Sequence, residues 1–337
     1  MAALVAASTL ISTAANAEVK VSTKGGLKVS AGDYSVQIGG RLMYDYNRSE
    51  LNGEVDEDNF DERRARIFAK GNLGDDWSYK MQFNLDGSGF EDLYLRYGGW
   101  GSMANVTIGN QRVPFGLEDQ TSSKDISILE RSGLSELYPV GRVESVMLHG
   151  ASDKMTYNAM VFKDEVDEDE SGEESGFAAR FTYAPIKTKT SVVHLGVAYR
   201  DIEDESATGL EAAFATGPFH IQAEYFDGEF DGDDKDGYYL QAGYILTGET
   251  RPYKKGIFKR VKPSSKKGAW EVVARYEDGD GNHSDIELGR TDAKALALGV
   301  NWYPNNNVRL GINYTDGEDN LSDDEGEEFR VRFQITF

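Results

Sequence analysis

The chain has 337 residues, no cysteine, 58 acidic against 36 basic residues and a formal net charge of -22. Without cysteine there is no disulfide framework, thiolate nucleophile or Cys-ligated metal. No stretch approaches the roughly 18 consecutive apolar residues of a membrane helix, so a membrane-embedded form must be a closed barrel, where every backbone group finds a partner.

Residues 1–17 are small and apolar and end on Ala15-Asn16-Ala17, a small-x-small cleavage pattern. They read as a secretory signal with the mature chain beginning at Glu18; an ordinary buried helix is the alternative. Residues 18–33 follow as an N-terminal periplasmic segment, and 34–337 as one transmembrane unit.

From Tyr34 onward the chain alternates with period two in runs of about ten residues, broken by Gly, Asp and Asn. Tyr34 to Leu42, Arg64 to Gly71, Trp77 to Leu85, Leu93 to Tyr97 and Asn105 to Val113 open the series. Ser145 to His149, Met155 to Phe162, Phe177 to Tyr183 and Val193 to Arg200 continue it. Leu210 to Ala215, His220 to Phe226, Tyr238 to Leu246, Trp270 to Tyr276, Ala295 to Trp302, Val308 to Tyr314 and Phe329 to Phe337 complete it. The fold class predicted is all-β: a transmembrane antiparallel β-barrel of about 16 strands. The last run is the clearest. Phe329, Val331, Phe333, Ile335 and Phe337 share one face, and Arg330, Arg332, Gln334 and Thr336 the other, as a wall between lipid and water requires.

Every second connection is long and acidic: Glu50 to Glu62, Asp164 to Glu174, Asp201 to Glu205, Asp227 to Asp236, Glu277 to Asp292 and Asp316 to Glu328. The intervening ones, such as Gly74-Asp75-Asp76 and Ser152-Asp153-Lys154, are short. Short periplasmic turns and longer outer loops are expected of bacterial barrels. The segment from Phe115 to Arg131 is the third outer loop. It is less acidic, with helix-compatible residues after its Thr/Ser cluster, and is expected to fold inward and narrow the pore, with Glu118, Asp119 and Lys124 in the constriction. One inner connection, Glu249 to Lys267, is long and basic; it reads as a solvated charged loop, or as a cationic rim at the periplasmic mouth.

Alternation assigns Arg41, Arg64, Arg66, Arg96, Arg180, Arg200, Arg275, Arg309, Arg330 and Arg332 to the lumen, since an Arg on the lipid face costs roughly 2–4 kcal/mol at mid-depth. Rings of cations in a pore favour anions. The alternative is that these arginines brace the wall by pairing with acids such as Glu224, Glu271 and those near Glu118. None of His149, His194, His220 and His283 lies in a hydrolase or metalloprotease motif, so no catalytic, cofactor or metal residue is assigned, and His194 reads as a wall residue. No basic face with interleaved aromatics suggests nucleic acid. Asp278-Gly279-Asp280-Gly281-Asn282 starts like a calcium loop, but His283 and Gly289 stand where the pattern needs Gly and Glu.

The chain resembles the phosphate-selective porin O and P family over nearly its whole mature length. The likeness rests on Lys24-Gly25-Gly26-Leu27, Gly39-Gly40-Arg41-Leu42, Arg63-Arg64-Ala65, Phe115-Gly116-Leu117-Glu118, Thr121-Ser122-Ser123-Lys124 and Leu129-Glu130-Arg131. Val193 to Gly196, Gln222 to Tyr225, Leu246 to Glu249, Gly268 to Glu271 and Leu298 to Tyr303 extend it. The resemblance implies a sixteen-stranded trimeric barrel in the outer membrane of a Gram-negative cell, with an arginine ladder leading anions to a lysine-lined constriction. Arg41, Arg63 and Arg64 match ladder positions, and Lys124 a basic loop position. Departures are as telling. Asp119 stands where the family's constriction lysine follows Gly-Leu-Glu, Gln37 replaces a basic wall residue, and the family's arginine-rich fifth loop shrinks to Asp201 to Thr208. Glu91 corresponds to its wall acid. The expected function is passive diffusion of small anions or polar solutes, with lipid and lipopolysaccharide as surroundings. A non-selective pore, or an adhesive barrel with divalent-ion-binding acidic loops, is the alternative.

Overall fold

The computed structural model describes residues 18–165, 173–203, 205–230, 232–280, 293–319 and 323–337. Sixteen strands form the wall. The first eight are β3 (Tyr34–Leu51), β4 (Glu54–Leu73), β5 (Trp77–Asn84), β6 (Gly89–Tyr97), β7 (Asn105–Arg112), β8 (Arg142–Ala151), β9 (Met155–Glu165) and β10 (Glu173–Lys187). The rest are β11 (Ser191–Ile202), β12 (Glu205–Thr216), β13 (Phe219–Phe230), β14 (Asp233–Ile245), β17 (Ala269–Asp280), β18 (Ala293–Tyr303), β19 (Val308–Asp319) and β20 (Asp324–Thr336). Each pairs antiparallel with the next, and β20 pairs with β3, setting Arg332 opposite Asp45, which closes the ring and leaves the wall without an edge. Before the wall, β1 (Val19–Ser22) and β2 (Leu27–Ala31) form a hairpin that pairs with the first residues of β3.

Side-chain period sets the two faces. On β20, Arg332 and Gln334 are fully buried inside, whereas Phe333 is 40% exposed on the outer face. Leu195 and Val197, Leu210, Leu240, Leu298 and Ile312 form the same exposed apolar belt on other strands. Aromatics edge the belt: Trp77 and Tyr97 pack together where β5 and β6 meet the short turns, and Trp270 stacks on Trp302 at the same level. Near the opposite end, Tyr46 packs on Phe60 and Tyr238 on Tyr276.

Three expectations are corrected. The acidic segment from Glu50 to Glu62 is mostly strand: β3 and β4 run out to a two-residue turn at Asn52-Gly53, both at positive φ. Backbone pairing continues through this acidic stretch, so acidity did not mark a loop. The same holds for 227–230 and 324–328, while 166–172 and 281–292 lie outside the described residues, as do residues 1–17. In the third outer loop, the first helix, α1 (Leu117–Gln120), precedes the Thr/Ser cluster; α2 (Gly133–Leu137) follows it, with the Ser132 hydroxyl accepting from the Ser135 amide at 2.9 Å. Finally, the basic 249–267 connection is no solvated rim. Its short hairpin of β15 (Tyr253–Lys254) and β16 (Ile257–Phe258) lies against the inner wall.

Candidate functional site: a lumen narrowed by two inserted loops

The third outer loop, residues 113–141, is held against the inner face of β13–β20 by side chains that the strand period turns inward. Arg309 donates to the carbonyls of Ile126 and Ser127 at 2.8 and 2.6 Å, and Arg275 to those of Glu130 and Arg131 at 3.0 Å. Asn313 accepts from the Leu129 amide at 3.0 Å, and Glu271 accepts from the Ser127 hydroxyl at 2.8 Å. Glu224 accepts from the amides of Leu117 and Glu118, which α1 leaves free in its first turn. The wall makes room where side chains are missing. A Cβ on Gly311 would lie 2.6 Å from Leu129, and one on Gly237 2.7 Å from Leu134. A loop buried in this way needs its backbone groups satisfied, and these arginines and amides do so.

The basic connection enters from the other end of the barrel. Arg180 donates to the Gly256 carbonyl at 3.1 Å, His194 bonds Tyr253 at 2.7 Å, and Arg260 reaches the Asn306 carbonyl and Thr336. Arg251 lies over the Phe258 ring, 4.7 Å from its centroid. Phe258 and Leu117, both fully buried, join one apolar cluster with Val192 and Ala215. Lys259 lies 3.6 Å from Asp125, so the two loops touch each other as well as the wall.

Opposite them, the inner face of β3–β8 carries a concentration of cations. Glu91 pairs with Arg66 and, at 2.8 Å, with Arg142; Asp92 pairs with Lys80 and, at 3.0 Å, with Arg142. Arg112 pairs with Asp119. Arg96 donates to the Thr107 hydroxyl at 3.2 Å, sits over the Tyr94 ring and has no carboxylate within 4 Å among the described residues. Arg41 donates to the hydroxyls of Ser122 and Ser123, each at 3.0 Å, and has no carboxylate within 4 Å among the described residues. Lys124, pointing from the loop, pairs with Asp125 at 2.7 Å and stays 40% exposed.

The residues singled out from the sequence therefore fall into two groups. Arg41, Arg66, Arg96, Lys124 and Asp119 meet along the β3–β8 side. Arg180, Arg275 and Arg332 also point inward but are covered: Arg180 is bidentate to Glu211 at 2.6 and 2.7 Å, Arg275 holds loop carbonyls and lies 3.4 Å from Glu118, and Arg332 is bidentate to Asp45 at 2.7 and 2.6 Å. Arg63, Arg64 and Arg330 converge with Arg332 on Glu130. Adjacent residues share a face here because of a bulge: Met43 faces Arg64 and Asp45 faces Asp61, so both Glu62 and Arg63 oppose Tyr44. Of the expected braces, Glu118 and Asp119 do meet arginines, Arg275 at 3.4 Å and Arg112, whereas Glu224 and Glu271 pair with none among the described residues; Glu271 instead accepts from Ser127, His220, Asn301 and Tyr303. Glu211 and Glu130 take that part. Sequence reading passed over Lys80, which is in step with the buried Gln82 on β5, and over Arg112 and Arg142, which end their strands in step with the exposed Ile108 and Val146 and so carried no inward signal. No cluster of three metal-ligating side chains occurs among the described residues.

Comparison with known proteins agrees with this architecture. The family model of phosphate-selective porin O and P matches residues 36–201 and 200–337. Porin O of Pseudomonas aeruginosa is 32% identical, covering 95% of this chain and 93% of its own length. Among solved structures, the anion-selective porin from Comamonas acidovorans superposes with a TM-score of 0.62 at 14% identity, covering 90% of this chain and all of its own. In vitro folded OmpT of Vibrio cholerae, in its trimer form, does so with a TM-score of 0.57 at 14% identity, covering 90% of this chain and 99% of its own. The sixteen-stranded barrel is thus an outer-membrane porin, and the chain belongs to the phosphate-selective porin O and P family.

Proposed function

We propose that the chain forms a water-filled, anion-preferring channel through which small solutes diffuse passively, and that it catalyses no reaction. One observation carries this reading: along the β3–β8 side of the lumen the six cations Arg41, Arg66, Lys80, Arg96, Arg112 and Arg142 have between them, among the described residues, three carboxylate partners, Glu91, Asp92 and Asp119. Between low-dielectric walls an excess of one sign focuses the field and raises the local concentration of the opposite ion. The anion selectivity named for the Comamonas porin and the 32% identity to Porin O support the same direction. Arg63, Arg64, Arg330 and Arg332 line the outer approach, with their charge largely matched by acids. Arg180 and Arg275 serve the channel by holding the loops.

A broader solute range than phosphate is favoured by Asp119, which is paired with Arg112 and lies 3.9 Å from Arg131, where the resemblance calls for a lysine. Residues 1–17 act as the export signal, 18–33 stay at the periplasmic side, and the functional unit is a trimer in lipid and lipopolysaccharide; the trimer form of the Vibrio protein supports the last point. The test is reversal potential in planar bilayers under a KCl gradient. An anion-side potential is expected, and a clear cation-side potential would overturn the reading.

A further inference from the structure

Glu130 gathers more cations than any other carboxylate among the described residues. Arg63 meets it with a bidentate fork at 3.1 Å on both oxygens, and Arg64 does the same at 3.0 Å. Arg330 lies 3.1 Å away, and Arg332 also donates to it. Asp45 and Glu328 share the last two arginines. Four guanidiniums thus stand against three carboxylates, and the cluster leaves about one net positive charge in place of four. Nε of Arg330 has no hydrogen-bond partner among the described residues, and its Nη1 meets Glu130 and Asp45 as ion pairs at 3.1 and 3.6 Å. The loop backbone at this point is pinned independently: Arg275 holds the Glu130 carbonyl at 3.0 Å and Asn313 the Leu129 amide at 3.0 Å. The loop thus has backbone anchors besides the side chain of Glu130, which remains 23% exposed.

We propose that Glu130 is a positioning residue that tunes selectivity: it clamps four wall arginines and so withholds their charge from passing anions. The inference rests on the anion-channel reading above and adds to it the residue that limits the preference. Removing the carboxylate raises the net charge of the cluster from about one to about two and frees guanidinium donors toward the water.

The experiment compares wild type, Glu130→Gln, Glu130→Ala and Glu130→Asp in planar bilayers, with reversal potential in a KCl gradient and conductance in molar salt. Glu130→Gln is expected to raise the chloride-over-potassium permeability ratio roughly threefold, the effect of one added charge near the path. Its conductance in molar salt, where charge is screened, should stay at the wild-type value. Glu130→Asp keeps the charge and should return the ratio to wild type. Glu130→Ala reports the same shift should the glutamine variant not assemble. An unshifted ratio in the charge-removing variants would overturn the proposal. So would a rise in molar-salt conductance with no change in ratio, which marks a merely structural role. The sign of the wild-type potential tests the channel reading separately; the difference between variants tests Glu130.

Discussion

Arg41 and Arg66 lie directly opposite one another across the β3–β4 ladder, both on the lumenal face. Like charges paired across strands destabilise a sheet, and neither is neutralised by the other's neighbour: Arg66 takes Glu91, and Arg41 takes only two hydroxyls. A wall built for stability alone would not keep this pair. Replacing both with alanine is expected to shift the reversal potential toward potassium, by roughly threefold in permeability ratio for each charge removed. A gradient measurement on the single and double variants checks it.

Arg309 is wholly buried and donates to Ile126, Ser127 and Asn301. Its loss leaves loop carbonyls without partners, so Arg309→Ala should weaken docking of the third loop by about 2–3 kcal/mol. The expected signs are larger, noisier single-channel conductance and protease cleavage within 113–141 of the folded protein.

Phe258 anchors the 249–267 connection in the cluster with Leu117. Truncation to alanine opens a cavity at a fully buried site and should cost about 3–5 kcal/mol. Thermal unfolding in detergent measures the loss, and conductance should rise as the segment lets go of the wall.

Burial alone would raise the Glu130 carboxyl, but Arg332, Arg64 and Arg63 outweigh it and hold it well below the usual carboxylate range. A depressed value means that the clamp's contribution is complete above the ordinary carboxylate pKa and is lost only as pH falls through the lower folded value. Selectivity set by the clamp should therefore be constant from pH 7 down to about 5. Reversal potentials across that interval test it.

Asp119→Lys would place a cation at the family's constriction position and remove the partner of Arg112. Inorganic phosphate should then block the chloride current at about a tenfold lower concentration, equivalent to about 1.4 kcal/mol of added affinity. Titrating phosphate against a fixed chloride current reads it directly.

The wall was legible because one residue in two had to meet hydrocarbon. Phe333 beside Arg332 and Gln334 could be sorted from spacing alone, and so could the lumenal side of Arg41, Arg66 and Arg275. The inward course of the third loop was legible too, although its helices were not, since α1 and α2 span only four and five residues. The destination of 249–267 was hidden because its lysines suit water, and the lumen of a porin is also water. Its signal was the handful of apolar residues among the lysines, Tyr253, Ile257, Phe258 and Val261, which would not stay in a solvated rim. Arg63 broke the two-residue rule through the bulge, and the doubled arginine was the only hint of it. The role of Glu130 depends on strands more than sixty and two hundred positions away in sequence, which spacing cannot join.

The two inserted segments also impose an order in time. The 249–267 connection contacts Asn306 and Thr336, and the third loop leans on β17–β20, the last strands to be made. Both already have contacts on earlier strands, such as Arg180 with Gly256 and Glu224 with Leu117, but neither set is complete until β20 brings Arg332 and Thr336 into place. The narrow passage is therefore finished only when the last strand of the chain is in its place.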